Sequence, residues 1–274
     1  MSMTSAGKLH AMGYMAGIVP VLVDNISVGI GDSPASESDS LLDFEVARFP
    51  VASTSVEVEP GRVIFKGTLP RGVPMKVREI GLWFSDDTPD SQILSTFNQF
   101  DENWIGGENN SHEESRIEGV FHTLSATGSE SASTTALSDA VDYSGVLDQS
   151  DELYLALHKS TAASETISLV FTDQNGETLT LSPESQDAAG GYVFRKFLVT
   201  DGVPTASFDP RAVVETTITI SSDGACDYGL DALISTDPLG QRGESVLVYR
   251  ATVDEFTVLG SQPTDVEYAI EVSF

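Results

Sequence analysis

The groups in this sequence that could take part in chemistry are 42 carboxylates, four histidines and one cysteine. None of His10, His112, His122 and His158 lies in a recognisable catalytic or metal-ligand motif, and no Gly-x-Ser-x-Gly elbow presents a nucleophilic serine. Glycoside hydrolysis needs two carboxylates about 5 Å or about 6.5–9.5 Å apart. With so many acids some pair meets that by chance, so the criterion has no power. His112, Glu113 and Glu114 share a polar run with Asp101 and Glu102, and carboxylate oxygens suit a hard cation such as Ca²⁺. The alternating Asp pattern of a calcium loop is missing. Cys226 is the single cysteine, so no intramolecular disulfide can form, and its turn-like Ser-Ser-Asp-Gly-Ala-Cys-Asp context reads as a small packed or partly exposed thiol. The expectation is a chain that is not an enzyme, with no cofactor and no metal.

Recognition is a stronger possibility than catalysis. Trp104 stands in a polar loop beside Gly106 and Gly107, and an exposed indole there would offer a stacking face to a sugar. The reading favoured for Trp104 itself is an anchor that pins the loop to the body or to a neighbouring subunit. His112 lies in the same loop, which runs from Asp101 to Arg116, and Tyr143, Tyr192 and Tyr228 are weaker candidates of the same kind. Loops on a rigid scaffold are where recognition usually resides.

Charge narrows the partners. Against 42 acidic residues stand 14 basic ones, a net charge of −28, and the acids are dispersed along the chain. Such a surface repels itself at low salt. Molar salt shortens the Debye length to about 3 Å and removes most of the penalty. The pattern fits a protein that works in brine, with halophilic archaea as the obvious setting. It also argues against nucleic acid as a partner, because no basic patch exists to meet phosphates. No apolar run approaches the length of a bilayer span, and the segment from Met1 to Gly17, with Lys8 its single basic residue, makes a poor signal peptide.

The elements that must position these residues read as mostly β: antiparallel β-sandwich modules with a short N-terminal helix. The helix is expected over Thr4 to Met15, capped by Thr4 or Ser5. Alternation predicts strands at Ile18–Val23, Asn25–Val28, Phe44–Phe49, Ser53–Glu59, Arg62–Leu69 and Val77–Phe84. Residues 101–118 read as an exposed loop, and Ser125–Ser138 as a low-complexity stretch that links modules or forms a long inter-strand loop. From Glu152 onward Leu153, Leu155 and Leu157 alternate with polar or small residues. Asp173-Gln-Asn-Gly176 between two strand-like runs is the best hairpin in the chain, since Asn-Gly supplies positive φ angles. Further strands are expected at Tyr192–Val199, Val213–Ile220, Ser245–Val253 and Val266–Phe274. The division expected is a docking module over 1–100, a loop-rich connection over 101–145 and a C-terminal sandwich over 146–274.

Four stretches of the first hundred residues stand in a suggestive order: Met3-Thr-Ser-Ala-Gly-Lys8, Ile26-Ser-Val-Gly-Ile-Gly-Asp32 with its Ser- and Pro-containing continuation, Glu45-Val-Ala-Arg48, and Val77-Arg-Glu-Ile-Gly-Leu-Trp83. In that order they resemble the N-terminal module of tail-fibre, tail-collar and baseplate-associated proteins of tailed phages. The resemblance covers about a third of the chain, and the region 101–138 departs from the short family pattern. It implies a structural subunit of a virion, in the tail, baseplate or fibre, which docks to other tail or baseplate proteins as a homotrimer and carries no catalytic residues. Gly29, Gly31, Arg48, Arg78, Glu79 and Gly81 would be the docking positions, with Arg48 and Glu79 able to pair within or between subunits. A receptor- or glycan-binding fibre component, meeting a host surface glycan or S-layer through Trp104 and His112, is the alternative, and a capsid decoration or turret protein a further one.

Overall fold

The computed structural model describes residues 2–18, 20–57, 61–72, 74–84, 92–97, 104–127, 130–147, 152–184, 188–205, 207–236 and 246–271. The chain divides into two units: unit 1 is Met1–Ser91 with Pro238–Phe274, and unit 2 is Gln92–Asp237. Asp101 and Glu102 of the acidic run lie outside the described residues. The linear division at 100 and 145 therefore differs from the fold. The last two strands return to the first unit, and the stretch read as a connection belongs to the second.

Unit 1 contains β1 (Ser2–Met3), α1 (Ser5–Met15), β2 (Asn25–Gly29), β3 (Glu45–Glu57), β4 (Arg62–Leu69), β5 (Met75–Phe84), β18 (Val246–Val258) and β19 (Thr264–Glu271). The helix starts where the sequence places it: the Thr4 hydroxyl accepts from the Gly7 amide at 2.9 Å. The strands form one antiparallel sheet in the order β1-β18-β5-β2-β3-β4-β19. The two strands expected at 44–49 and 53–59 are a single one, β3. A register shift between Val51 and Ser53 lets its first half pair with β2 and its second with β4. Ile18–Val23 forms no strand among its described residues.

On β5, Ile80 and Leu82 lie buried, as alternation requires, yet Glu79 and Trp83 are buried as well. The second face is covered by the loop between β2 and β3. Leu42 packs with Trp83 and Leu247, and the Trp83 indole N–H donates to Ser27 Oγ at 2.7 Å. A Cβ on Gly81 would fall 2.6 Å from both Leu42 Cδ1 and Ser27 Oγ, so only glycine fits there.

Unit 2 is a sandwich of two antiparallel sheets. One runs β15 (Val203–Pro204), β13 (Thr178–Leu181), β12 (Glu165–Asp173), β16 (Val213–Ser222), β10 (Glu130–Val141), β7 (Trp104–Ile105). The other runs β14 (Gly191–Leu198), β11 (Glu152–Lys159), β17 (Ala225–Thr236), β9 (Val120–Thr127), β8 (Glu108–Ser111), with β6 (Gln92–Ser95) also paired to β17. Leu153, Leu155 and Leu157 of β11 meet Ile167, Leu169, Phe171, Leu179, Leu181, Ile218 and Ile220 of the opposite sheet in one apolar core. Of the low-complexity run, Ser125–Thr127 ends β9 and Glu130–Ser138 lies in β10, which pairs with β16 over Glu130–Ala136. The predicted hairpin joins β12 to β13, but only Gly176 takes a positive φ, +80°. The Asp173 carboxylate caps the turn by accepting from the amides of Asn175 (2.8 Å) and Glu177 (3.0 Å).

Candidate functional site

The sequence singled out two sets of residues, and the fold treats them differently. In unit 1, Glu79 is wholly buried at the middle of β5. Its Oε1 accepts from the amides of Gly31 (3.0 Å) and Phe44 (2.9 Å), and its Oε2 from Asp43 N (3.0 Å) and from Nε (3.1 Å) and Nη2 (3.0 Å) of Arg250. Arg250, on β18, also bonds Asp39 and Asp43, each at 2.8 Å. Burial pushes the Glu79 carboxyl above its ordinary range, while the amides of Phe44 and Asp43 and the Arg250 charge pull it back. A Cβ on Gly29 would lie 2.4 Å from the Phe44 carbonyl oxygen, and one on Gly31 2.4 Å from Asp43 Cβ, which is why both are glycine. Arg48 does not pair with Glu79. It grips Glu45 with two bonds, 2.7 and 2.9 Å, and its guanidinium lies 3.6 Å over the Trp83 ring. Of the six expected docking positions only Arg78 reaches solvent, where it meets Asp32 and Glu255. Gly29, Gly31, Glu79 and Gly81 hold the loop over the sheet inside the unit, and the Arg48 side chain packs on Glu45 and Trp83.

In unit 2, Trp104 is 1% exposed, so it offers no ring face to a ligand. Its N–H donates to Ser95 Oγ at 3.0 Å and its ring packs on Phe97 and near His122, which is the anchoring arrangement. Tyr228 is wholly buried, and its hydroxyl, pushed up to about 12 by desolvation, bonds Ser222. Tyr143 packs against Phe171 at the core margin. Tyr192 is different. On β14, Val193 and Phe197 pack on the core, so Tyr192 and Phe194 point to the other face of their sheet. There Tyr192 stands opposite His158 and Phe194 opposite Ala156 of β11.

That outer face carries a row of rings. Phe121 stacks on His158 (5.5 Å, 10°) and on His112 (5.0 Å, 29°); Tyr192 lies 6.5 Å from Phe121 and 5.5 Å from Phe194; the Arg116 guanidinium sits 3.9 Å over Tyr192. Gly229 makes the row possible, because a Cβ there would strike the Phe121 ring at 2.6 Å. Tyr192, Phe194 and His158 are half-buried and His112 is exposed. His112 therefore belongs to this site, although its loop partner Trp104 does not.

The row is held by Asp231. The pairing of β11 with β17 shifts register between Ala156 and Leu157, leaving Asp231 as the extra residue of a bulge. Its wholly buried carboxylate accepts from Ser115 Oγ (2.7 Å), the amides of Arg116 (2.8 Å) and Ile117 (3.2 Å), and the Tyr192 hydroxyl. One side chain thus fixes both the 112–119 loop and the Tyr192 ring. Desolvation pushes Asp231 up to about 6 in spite of these donors. Burial lowers His158, partly opposed by Glu114, with which it bonds. Among the described residues no group of three or more His, Cys, Asp or Glu is arranged to hold a metal ion.

The class defined by this fold and face is a two-unit, mostly β chain with an aromatic row on a sandwich sheet. No family model matches it, and no curated protein matches it in sequence. Among solved structures it is similar to the family 11 carbohydrate-binding module of a cellulosomal cellulase of Clostridium thermocellum, at 12% identity over 55% of this chain and 95% of that one, TM-score 0.40. A family 30 carbohydrate-binding module of another cellulosomal cellulase of that organism gives 11% identity over 54% and 97%, TM-score 0.37. An exo-β-agarase gives 15% over 50% of this chain, TM-score 0.37, and the match spans 23% of the agarase chain. Each is a partial likeness at low identity.

Proposed function

We propose that this chain is a non-catalytic recognition subunit of a tailed-virus tail, baseplate or fibre, which binds a host-surface glycan on the outer face of unit 2. The observation that carries the reading is the row Tyr192, Phe194, His158 and His112, locked to a rigid sheet by Asp231 and Arg116. Flat rings set in a preformed array suit the C–H faces of sugar rings, and the surrounding hydroxyl, imidazole and guanidinium groups suit their hydroxyls. A neutral polymer is also the class of ligand that a chain of net charge −28 does not repel. The virion setting is supported by the motif order of the first hundred residues, and the brine setting by the dispersed acids.

The test is calorimetric titration of the full chain with oligosaccharides released from candidate host surfaces, in molar KCl. Phe194→Ala and His112→Ala should each weaken binding by roughly tenfold, about the worth of one aromatic contact, without lowering the melting temperature. Saturable binding that both variants retain in full would remove the row from the reading. A second reading, virion architecture without host recognition, is favoured by one feature of unit 1: an apolar stripe on α1 that faces solvent.

A further inference from the structure

Helices on globular proteins turn their apolar stripe inward. In α1 the arrangement is reversed. Its inner face is Gly7 and His10. A Cβ on Gly7 would sit 2.3 Å from the Val248 carbonyl oxygen, and the His10 ring packs 4.3 Å from Phe84 with Nε2 at 3.0 Å from the Val21 carbonyl. Thr4 ties the helix start to β18 through the Val248 and Leu247 carbonyls. The outer face carries Leu9, 71% exposed, Met12, 61%, and Met15, 78%, followed by Ile18 at 80%. Leu9, Met12 and the small Ala16 have the three- and four-residue spacing of a helix-packing seam. The helix is held in place by its small and polar residues, and its large apolar ones are left over.

The charge pattern says what meets them. The first acid of the chain is Asp24, so 23 residues carry no carboxylate in a sequence with 42 of them. Lys8, the one basic residue in this stretch, is neutralised within the chain by Glu37 at 2.6 Å. A basic partner would be drawn to the acidic remainder of the surface and away from this neutral face. An anionic lipid surface would be repelled by that remainder, and interfacial helices carry a cationic polar face that α1 lacks. For two copies of a −28 chain, by contrast, this is a surface on which no carboxylates are brought together, and a seam of Leu and Met is complementary to itself about a rotation axis.

We infer that the outward stripe of α1 is a self-association surface, occupied by α1 of a second copy of this chain. The inference rests on reading unit 1 as the assembly module, and it deepens the glycan proposal: joining copies makes a weak single site avid, by about 10²-fold or more on a polymer. The experiment compares the full chain with the triple variant Leu9→Ser, Met12→Ser, Met15→Ser by sedimentation velocity across a hundredfold concentration range in molar KCl. The parent chain should sediment as an oligomer, and the variant as a monomer that keeps the parent's β-sheet circular dichroism, with the melting temperature lowered only by the stabilisation that association supplied. In Met12→Cys the introduced thiol should cross-link copies on mild oxidation, the native Cys226 being buried. A parent chain that stays monomeric, an oligomer that survives the triple substitution, or an uncross-linked Met12→Cys overturns the inference. Flotation with vesicles of neutral and anionic lipid that depends on the three apolar residues would overturn it in favour of a membrane occupant. Binding of a soluble oligosaccharide by the monomeric variant is read separately, so failure of the glycan reading and of this one are distinguishable.

Discussion

Replacing Arg250 by methionine tests the account of unit 1 most directly. Arg250 is 2% exposed and is the cation bonded to the buried Glu79, with Asp39 and Asp43 beside it. Arg250→Met keeps most of the volume but strands a wholly buried carboxylate among two others. Breaking a buried pair in this way costs about 3–5 kcal/mol, a large part of the roughly 5–15 kcal/mol that holds a domain folded. Glu79→Gln alone should cost about 1–3 kcal/mol, because one amide oxygen replaces two carboxylate oxygens that serve three backbone N–H groups. The double variant should cost clearly less than the sum, since the stranded charge is gone. The pH dependence has a definite sign. Glu79 is raised in the fold by burial and lowered by Arg250, so losing Arg250 raises it further. Stability tied to a raised carboxyl is present below its unfolded pKa and is lost as pH rises through the folded one. The deficit of Arg250→Met should therefore be smaller at pH 5 than at pH 8. Urea unfolding in molar KCl, followed by Trp83 fluorescence in a Trp104→Phe background, reads unit 1 alone, because Trp83 belongs to unit 1 and Trp104 to unit 2. A cost below about 1 kcal/mol, or strict additivity of the two substitutions, would refute the reasoning.

Two further outcomes can be measured on the same material. Asp231 is raised from 3.8 to about 6, a shift worth about 3 kcal/mol; stability from this group is full below about pH 4 and lost as pH climbs through 6. Asp231→Asn should flatten that part of the unit 2 stability profile, and a slope equal to the parent's would exclude Asp231 as its source. The melting temperature of the whole chain should rise steeply between 0.1 and 1 M KCl, over which the Debye length falls from about 10 to about 3 Å; a flat response would sink the brine-adapted reading.

What was legible in the sequence was local. Thr4 caps α1, β4 runs over Arg62–Leu69, and Leu153, Leu155 and Leu157 face the core, because capping and period-2 alternation act over a few residues. What was not legible was pairing across the chain. Glu79 and Arg250 are 171 positions apart, and nothing near Glu79 in sequence distinguishes Arg48 from Arg250 as its partner. The same blindness sent residues 101–145 to a connection and residues after 237 to a separate module, although β18 and β19 complete the sheet of unit 1. Trp104 follows the anchor reading: Gly and Asn around it suggest exposure, yet the indole turns into the core of unit 2. Tyr192 could have been ranked above it. It shares one face of its strand with Phe194, the face opposite Val193 and Phe197, and that alternation is visible in Tyr-Val-Phe-Arg-Lys-Phe.

The placement of the few cations explains why two surfaces stand out. Arg116, Lys159, Arg195 and Arg250 are buried or nearly so, and the Arg48 side chain is 5% exposed. Lys159 and Arg195 close on Glu165 inside unit 2, as Arg250 closes on Glu79 inside unit 1. Positive charge is thus used to satisfy buried carboxylates, and few cations are left on the surface to offset its acids. On such a surface any contact through ordinary positions sets carboxylate against carboxylate. The outward stripe of α1 has no acid of its own, with the neighbouring Glu37 paired to Lys8, and the row of rings in unit 2 has Asp231 buried beneath it and Glu114 bonded to His158. A neutral glycan can meet the row in dilute salt as well as in brine, whereas joining two chains of net charge −28 through α1 needs salt to screen the rest of their surfaces.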